Sequence, residues 1–236
     1  MNKTRNRGKQ SNDDKSFSSK WHPIFKEAVD DLCYLLSRGY ADNSSLQIVG
    51  NRYKLNKRQR NAIIRMSCSR QQTLKRQQSE CKAIDLTDEA IEIDGFNLLI
   101  LLESALSGAF LFKGRDNLYR DISSVHGSYK RVVKTEHAIL LVGHILKELK
   151  VTSAKWYLDQ PVSNSGRLKT RLLELSRAHS FNWEVELVFD PDKVLAKSNK
   201  IVVSSDGWIL DHAKKWFNLG SFLIEHHIAD TNIIAV

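Results

Sequence analysis

The stretch Ala90-Ile91-Glu92-Ile93-Asp94-Gly95-Phe96-Asn97-Leu98-Leu99-Ile100 constrains this chain more than any other. Apolar residues alternate up to Asp94, as in a short strand, and Gly95 and Asn97 lead into an apolar run of helical length. In an open α/β sheet, ligands gather outside the carboxyl ends of the strands, so an acid at the last strand position faces the binding crevice. The pattern recurs. Trp156-Tyr157-Leu158-Asp159 and Ile201-Val202-Val203-Ser204-Ser205-Asp206 are also apolar runs ending on an acid, and Asp211 follows five residues later. Acids converging on one rim repel one another unless a cation neutralises them or one keeps its proton. Asp94, Asp159, Asp206 and Asp211 are therefore the candidate catalytic residues and metal ligands, with Mg²⁺ or Mn²⁺ as the fitting ion.

The spacing elsewhere predicts helices between these strands. Leu98 to Leu106 reads as a buried helix ended by Gly108, with Glu103 about two and a half turns past Asp94. Phe110-Leu111-Phe112 and Leu118-Tyr119-Arg120-Asp121 flank a polar turn and predict a hairpin that makes Asp121 a further strand-end acid. Ala138, Leu141, Val142, Ile145, Leu146 and Leu149 form a helical stripe behind Thr135, and Leu168, Leu172, Leu173 and Leu175 form another in Arg167–His179. Trp183 to Phe189 alternates as a strand, Asp190-Pro191-Asp192 turns the chain, and a helix over 207–217 precedes a last strand at Phe222-Leu223-Ile224. The expected fold is an α/β domain over 83–236: a mostly parallel sheet with helices on both faces.

Before it, Ile24, Phe25, Ala28, Val29, Leu32, Leu35 and Leu36 recur at helical spacing from Trp21, and Gly39 offers a left-handed cap. Asn43 or Ser44 caps a short second helix stopping near Gly50. Asn56 caps a third, carrying Lys57, Arg58, Arg60, Arg65, Arg70, Lys75 and Arg76. A small all-α domain over 21–82 with a helix-turn-helix outline results. A helical cap with a solvated basic face satisfies the same residues. Residues 1–20 are almost devoid of apolar side chains and read as a disordered basic arm.

A formal net charge of +9 and a pI near 9.4 favour a polyanionic partner, of which nucleic acid is the commonest. No apolar run is long enough to span a membrane, and the N-terminus is too polar for a secretory signal, so a cytoplasmic location is expected. Cys33, Cys68 and Cys81 are odd in number and widely spaced, which fits free thiols better than a disulfide framework or zinc site. The basic loop Ser123–Lys134, with His126, Gly127, Tyr129, Lys130 and Arg131, can meet a phosphate backbone. Ser163, Ser165 and Arg167, at the start of the 167–179 helix, are a second candidate phosphate contact, with ordinary capping as the plainer account. Trp156, Trp183, Trp208 and Trp216 fit a core better than base-stacking surfaces, and the histidines fit packing or surface positions. Walker, Gly-x-Gly-x-x-Gly, Gly-x-Ser-x-Gly and His-Glu-x-x-His patterns are missing, so the nucleotide-cofactor, esterase and zinc-protease classes have no motif behind them.

Asp94-Gly95-Phe96-Asn97 resembles the opening motif of NYN domains, a branch of the PIN-like nucleases, and Ser204-Ser205-Asp206 with Asp211 is similar to the late Ser-x-Asp motif of that superfamily. The resemblance implies a metal-dependent ribonuclease with RNA, more than DNA, as substrate; Asp94, Asp159, Asp206 and Asp211 would bind Mg²⁺ or Mn²⁺ and activate water. It also implies that Asn97 orients Asp94 or a phosphate, with Ser204 and Ser205 beside the substrate. Two departures stand out. The position two after Asp206 is Trp208 rather than an acid, and the mid-chain helix acid has no clear match, with Glu103 and Asp121 both candidates. The whole chain also looks like a little-characterised prokaryotic family that joins a helical N-terminal domain to such a domain. A catalytically inactive nucleic-acid-binding module is the alternative, and a Toprim-like domain also gathers acids at strand ends, although the Asp-Gly-Phe-Asn opening argues against it. The oligomeric state is open.

Overall fold

The computed structural model describes residues 7–123 and 129–236. Its helices are α1 (Asp13–Ser16), α2 (His22–Ser37), α3 (Asp42–Arg52), α4 (Lys57–Met66), α5 (Arg70–Ser79), α6 (Gly95–Leu106), α7 (Thr135–Glu148), α8 (Ser165–Ala178), α9 (Pro191–Ala196), α10 (Gly207–His212) and α11 (Leu219–His227). The strands are β1 (Ala90–Asp94), β2 (Phe110–Lys113), β3 (Tyr119–Arg120), β4 (Ser153–Asp159), β5 (Trp183–Val188), β6 (Ile201–Val203) and β7 (Asn232–Ile234). A parallel four-stranded sheet runs in the order β5-β4-β1-β6, and a smaller sheet in the order β3-β2-β7. Among the described residues no helix is long and apolar enough to cross a membrane.

Both faces of the parallel sheet are covered, which is why its strands read as continuous apolar runs. Ile201, Val203, Trp156 and Leu158 pack into one core with residues of α6, α7, α8 and α11. The intervening Val202 and Tyr157 enter a second core with Leu195 of α9 and Ile209 and Leu210 of α10. The alternation along each strand thus sends successive side chains to opposite layers. Gly95 is the joint between β1 and α6: an added Cβ would stand 2.5 Å from Leu158 Cδ2 and 3.0 Å from the Tyr157 carbonyl oxygen. The turn from Asp94 into α6 needs a residue without a side chain. In the helical region, Phe25, Val29, Leu32, Ile63 and Met66 share a third core with Phe112, Ile122 and Ile234 of the α/β region.

Several expectations need correction. Residues 7–20 are packed, not a disordered arm: Phe17 is fully buried with its ring 5.0 Å from Phe112 and 5.3 Å from Phe110, and Asp13 takes Arg58 Nε and Nη2 at 2.6 and 2.7 Å. One aromatic ring and one buried ion pair order the segment, and an averaged composition hides both. Residues 1–6 of the expected arm lie outside the described residues. The basic helix after Asn56 is two helices, because Ser69 forms a capping box with Gln72 just as Asn56 does with Gln59. A long recognition helix is therefore missing from the helix-turn-helix outline, and Arg58, Arg60 and Arg76 are bonded internally. The second helix starts at Asp42 and passes through Gly50 to Arg52. The 207–217 helix stops at His212. Phe222-Leu223-Ile224 lies in α11 rather than in a strand, because Leu219, Leu223 and Ile224 bury one helical face.

A buried charged cluster joins the two regions. Arg76 of α5 reaches Asp116 Oδ2, and Arg120 of β3 donates to the same carboxylate at 2.6 and 2.8 Å. Arg76 also grips Asp211 bidentately at 2.7 and 2.9 Å, and Arg120 Nε donates to the Ser205 carbonyl at 2.8 Å. Burial pushes the Asp116 carboxyl up, but the Arg120 and Arg76 guanidiniums outweigh it and hold it below the ordinary carboxylate value. Its contribution to stability is then present above the unfolded-state value near pH 4 and is lost as pH falls through its depressed folded value. Asp116→Ala leaves two guanidiniums buried without this partner, and we expect a loss of about 3–5 kcal/mol in urea unfolding at pH 7, shrinking below about pH 4. A loss under about 1 kcal/mol would mean that the cluster does not hold the regions together.

Candidate functional site

Each strand of the parallel sheet delivers a carboxylate to its carboxyl-terminal rim. Asp94 ends β1, Asp159 ends β4, Asp206 follows β6, and Asp190 and Asp192 follow β5. The ends of β1 and β6 are interlocked by the two motifs singled out in the sequence. Ser204 Oγ donates to Asp94 Oδ2 at 2.8 Å and accepts from the Asp206 backbone N–H at 3.0 Å. Asn97 Oδ1 accepts from both the Ser205 N–H and hydroxyl at 2.8 Å, while Asp94 Oδ1 caps α6 by accepting from the Asn97 N–H at 3.4 Å. Asp206 Oδ1 in turn caps α10 through Trp208 N–H at 2.8 Å and Ile209 N–H at 3.3 Å.

The electrostatics follow from this crowding. Burial, then the charges of Asp192 and Asp206, raise Asp94 to about 7, against the stabilising hydroxyl of Ser204. Asp192, an exposed residue beside the buried Pro191 in the first turn of α9, is raised to about 6 by partial desolvation of its carboxyl and by Asp206, Asp159 and Asp190. Asp159 is raised by burial and by Asp190. Asp190 is held low by its partner Lys193, which meets it at 2.8 Å. Carboxylate oxygens are the hard donors that Mg²⁺ and Mn²⁺ take. Among the described residues, however, no three His, Cys, Asp or Glu side chains converge closely enough to hold an ion between them.

The predicted residues divide accordingly. Asp94, Asp159 and Asp206 share the rim. Asp211 does not: it lies on the side of α10 that meets α5, where Arg76 and Gln72 consume its carboxylate, so its reading as a metal ligand is corrected. Ser204 and Ser205 are buried, with their hydroxyls spent on Asp94 and Asn97, and Asn97 holds Ser205 rather than a phosphate. These three residues are internal fasteners, which corrects their placement beside the substrate. Ser163 and Arg167 are exposed at the start of α8, and Ser165 is buried with its hydroxyl donating to the Gln160 carbonyl at 3.4 Å. Lys130 and Arg131 are exposed beside them, because the Tyr129 N–H donates to the Ser163 carbonyl at 3.0 Å and Asn164 Nδ2 to the Tyr129 carbonyl at 2.9 Å. His126 and Gly127 of that basic loop lie outside the described residues.

Neither option for a mid-chain acid reaches the rim in a free state. Glu103 is fully buried and bonded to Arg7, Tyr129 and Thr135; Asp121 accepts from the Ser123 N–H at 2.6 Å. Sequence reasoning missed Asp190 and Asp192, which it took for a turn, although the rule that picked out Asp94 applies to them. It also placed Trp208 in the core, whereas 48% of that residue is exposed. Trp156 and Trp216 are the fully buried tryptophans.

Beside the rim, a cleft of about 690 Å³ opens between the helical region and the sheet; Lys57, Asn61, Arg65, Asp206, Gly207 and Trp208 are among the residues that line it.

Residues 83–222 match the family described as a domain of unknown function, DUF5616, and residues 24–78 match the one described as a protein of unknown function, DUF434. An uncharacterized protein of Methanocaldococcus jannaschii, MJ0935, is 37% identical over 185 residues, which cover 78% of this chain and 88% of that protein. No solved structure matches.

Asp94 binds its proton more tightly folded than unfolded, so its contribution to stability is complete below about pH 4 and fades as pH climbs through about 7. Relative to the parent, Asp94→Asn should lose less stability between pH 4 and 8, ending more stable by on the order of 2 kcal/mol at pH 8. A pH-independent difference between the two in denaturant melts would show that the rim does not perturb Asp94.

Proposed function

We propose that this chain, which belongs to the DUF5616 family, is a Mg²⁺- or Mn²⁺-dependent nuclease that hydrolyses phosphodiester bonds in RNA. The observation that carries the reading is the placement of Asp94, Asp159, Asp192 and Asp206 at the carboxyl ends of neighbouring parallel strands, with Ser204 and Asn97 locking two of those ends together; burial and then the charges of Asp192 and Asp206 push Asp94 up in keeping with it. Perturbed carboxylates of this kind mark sites built to bind a cation or move a proton. The resemblance of Asp94-Gly95-Phe96-Asn97 and Ser204-Ser205-Asp206 to the PIN-like, NYN-type motifs supports the same chemistry, as does the net charge of +9.

Mg²⁺ keeps several of its waters and needs only one or two carboxylates besides phosphate oxygens, so the lack of a three-residue cluster among the described residues is compatible with it. Asp94 and Asp206 would hold the ion, with Asp192 and Asp159 next to them. A bound dication supplies charge neutralisation at phosphorus and acidifies a coordinated water. Ser204 holds the Asp94 carboxylate in place at the end of β1, and Asn97 fixes the loop that carries Asp206. Asp192, exposed at the rim and raised to about 6 by desolvation and the neighbouring carboxylates, would be the group to accept a proton from the attacking water.

A second reading keeps the fold and the RNA but not the catalysis, and the missing three-ligand cluster favours it. Labelled single-stranded RNA separates the two. Under the nuclease reading, the full-length protein cuts it with Mn²⁺, stops in EDTA, and loses about 100-fold or more in Asp94→Asn and Asp206→Asn. Because Asp94 must shed a proton to bind the ion, Mn²⁺ affinity should rise from pH 6 to 8. Cutting that survives EDTA or both substitutions overturns the proposal, and tight binding without cutting establishes the second reading.

A further inference from the structure

We infer that the cleft beside the rim is the track for one strand of RNA, with Trp208 as the stacking platform for the nucleotide next to the scissile phosphate. The inference rests on the nuclease reading for its chemistry and on independent geometry for its location.

Several elements line the cleft, Asp42 of α3 and Gln72 and Arg76 of α5 among them, and two of its walls differ in chemistry. From α4 come Lys57, Asn61 and Arg65, spaced i, i+4 and i+8, so that they form one polar stripe along the helix. At 1.5 Å per residue the stripe is about 12 Å long, enough to meet a few successive phosphates of one strand. Lys57 and Arg65 are exposed, whereas Arg58, Arg60 and Arg76 of the same region are engaged internally. From the N-cap and first turn of α10 come Asp206, Gly207 and Trp208.

Trp208 is what sets this cleft apart from a merely basic groove. A single exposed apolar residue usually means nothing. This one stands two positions from Asp206, whose carboxylate fixes its backbone N–H, and its ring is braced 4.5 Å from His212. An indole held beside an acidic rim offers a π-face to a base and leaves the adjoining phosphate near Asp206. Only an unstacked base can use such a face, so the occupant is a single strand rather than a duplex. The α4 stripe then grips the backbone on the other side.

The test is binding without chemistry. In EDTA, fluorescence anisotropy of a labelled oligoribonucleotide of about ten residues is followed with the full-length protein, as a single strand and as a blunt duplex. Trp208→Ala should weaken the single strand about tenfold, within the range of one base-stacking contact, and Trp208→Phe should restore most of it. Lys57→Ala with Arg65→Ala should weaken binding and flatten the salt dependence by a slope of about 1.4. The inference is overturned if Trp208→Ala binds like the parent, or if the duplex binds as tightly as the single strand. Should Trp208→Ala melt early, an unchanged Kd and salt slope in the Lys57/Arg65 variant is equally fatal. Normal cleavage in Mn²⁺ by a protein failing these binding tests sinks the track and spares the nuclease. Binding as expected without cleavage does the reverse.

Discussion

The Asp116 carboxylate, clamped between Arg76 and Arg120, is the interaction on which the rest of the molecule depends. Removing charges from water is costly, and such a cluster is sustained only when each member keeps several partners. Here they come from three places: α5 of the helical region, the hairpin after β2, and, through Asp211 and the Ser205 carbonyl, the segment after β6. The cluster therefore does two jobs at once. It fixes the helical region on the α/β domain, and it pins the loop that carries Asp206. The cleft between the regions is a rigid by-product of that arrangement.

Above this clamp, the rim holds like charges together at a cost that the fold does not relieve. Asp94 has one hydroxyl and one backbone N–H to satisfy it and no cationic partner in the described residues. Asp211, only five residues beyond Asp206, is in the opposite situation, with a bidentate guanidinium. The contrast separates a carboxylate used for cohesion from carboxylates kept in reserve. A cationic ligand at the rim would relieve the mutual repulsion that the protein's own side chains leave uncompensated.

Much of the architecture was legible in the chain itself. Ile201-Val202-Val203 and Trp156-Tyr157-Leu158 are continuous apolar runs because both of their faces are buried, and that alone implies a parallel sheet between helical layers. Asn56 announced α4, and the position of Asp94 at the end of β1 followed from alternation. What could not be read was anything set by a distant partner. The role of Asp211 depends on Arg76, 135 positions away, and that of Phe17 on Phe110 and Phe112. Trp208 went to the wrong side because a six-residue helix has too few turns to define a face, and Ile209 and Leu210 take the interior. Phe222-Leu223-Ile224 misled for a related reason: three apolar residues fit either period until Leu219 is counted with them.

The N-terminal segment carries a lesson about where this protein begins as a physical object. Family similarity starts at residue 24, yet Arg7 neutralises Glu103 inside the α/β region, Asp13 neutralises Arg58, and Phe17 plugs the seam between the helices and the smaller sheet. A boundary drawn by homology would strand two charges in the interior and open a ring-sized void. For this chain, the part that matches the two families and the part that packs together are different lengths of polypeptide.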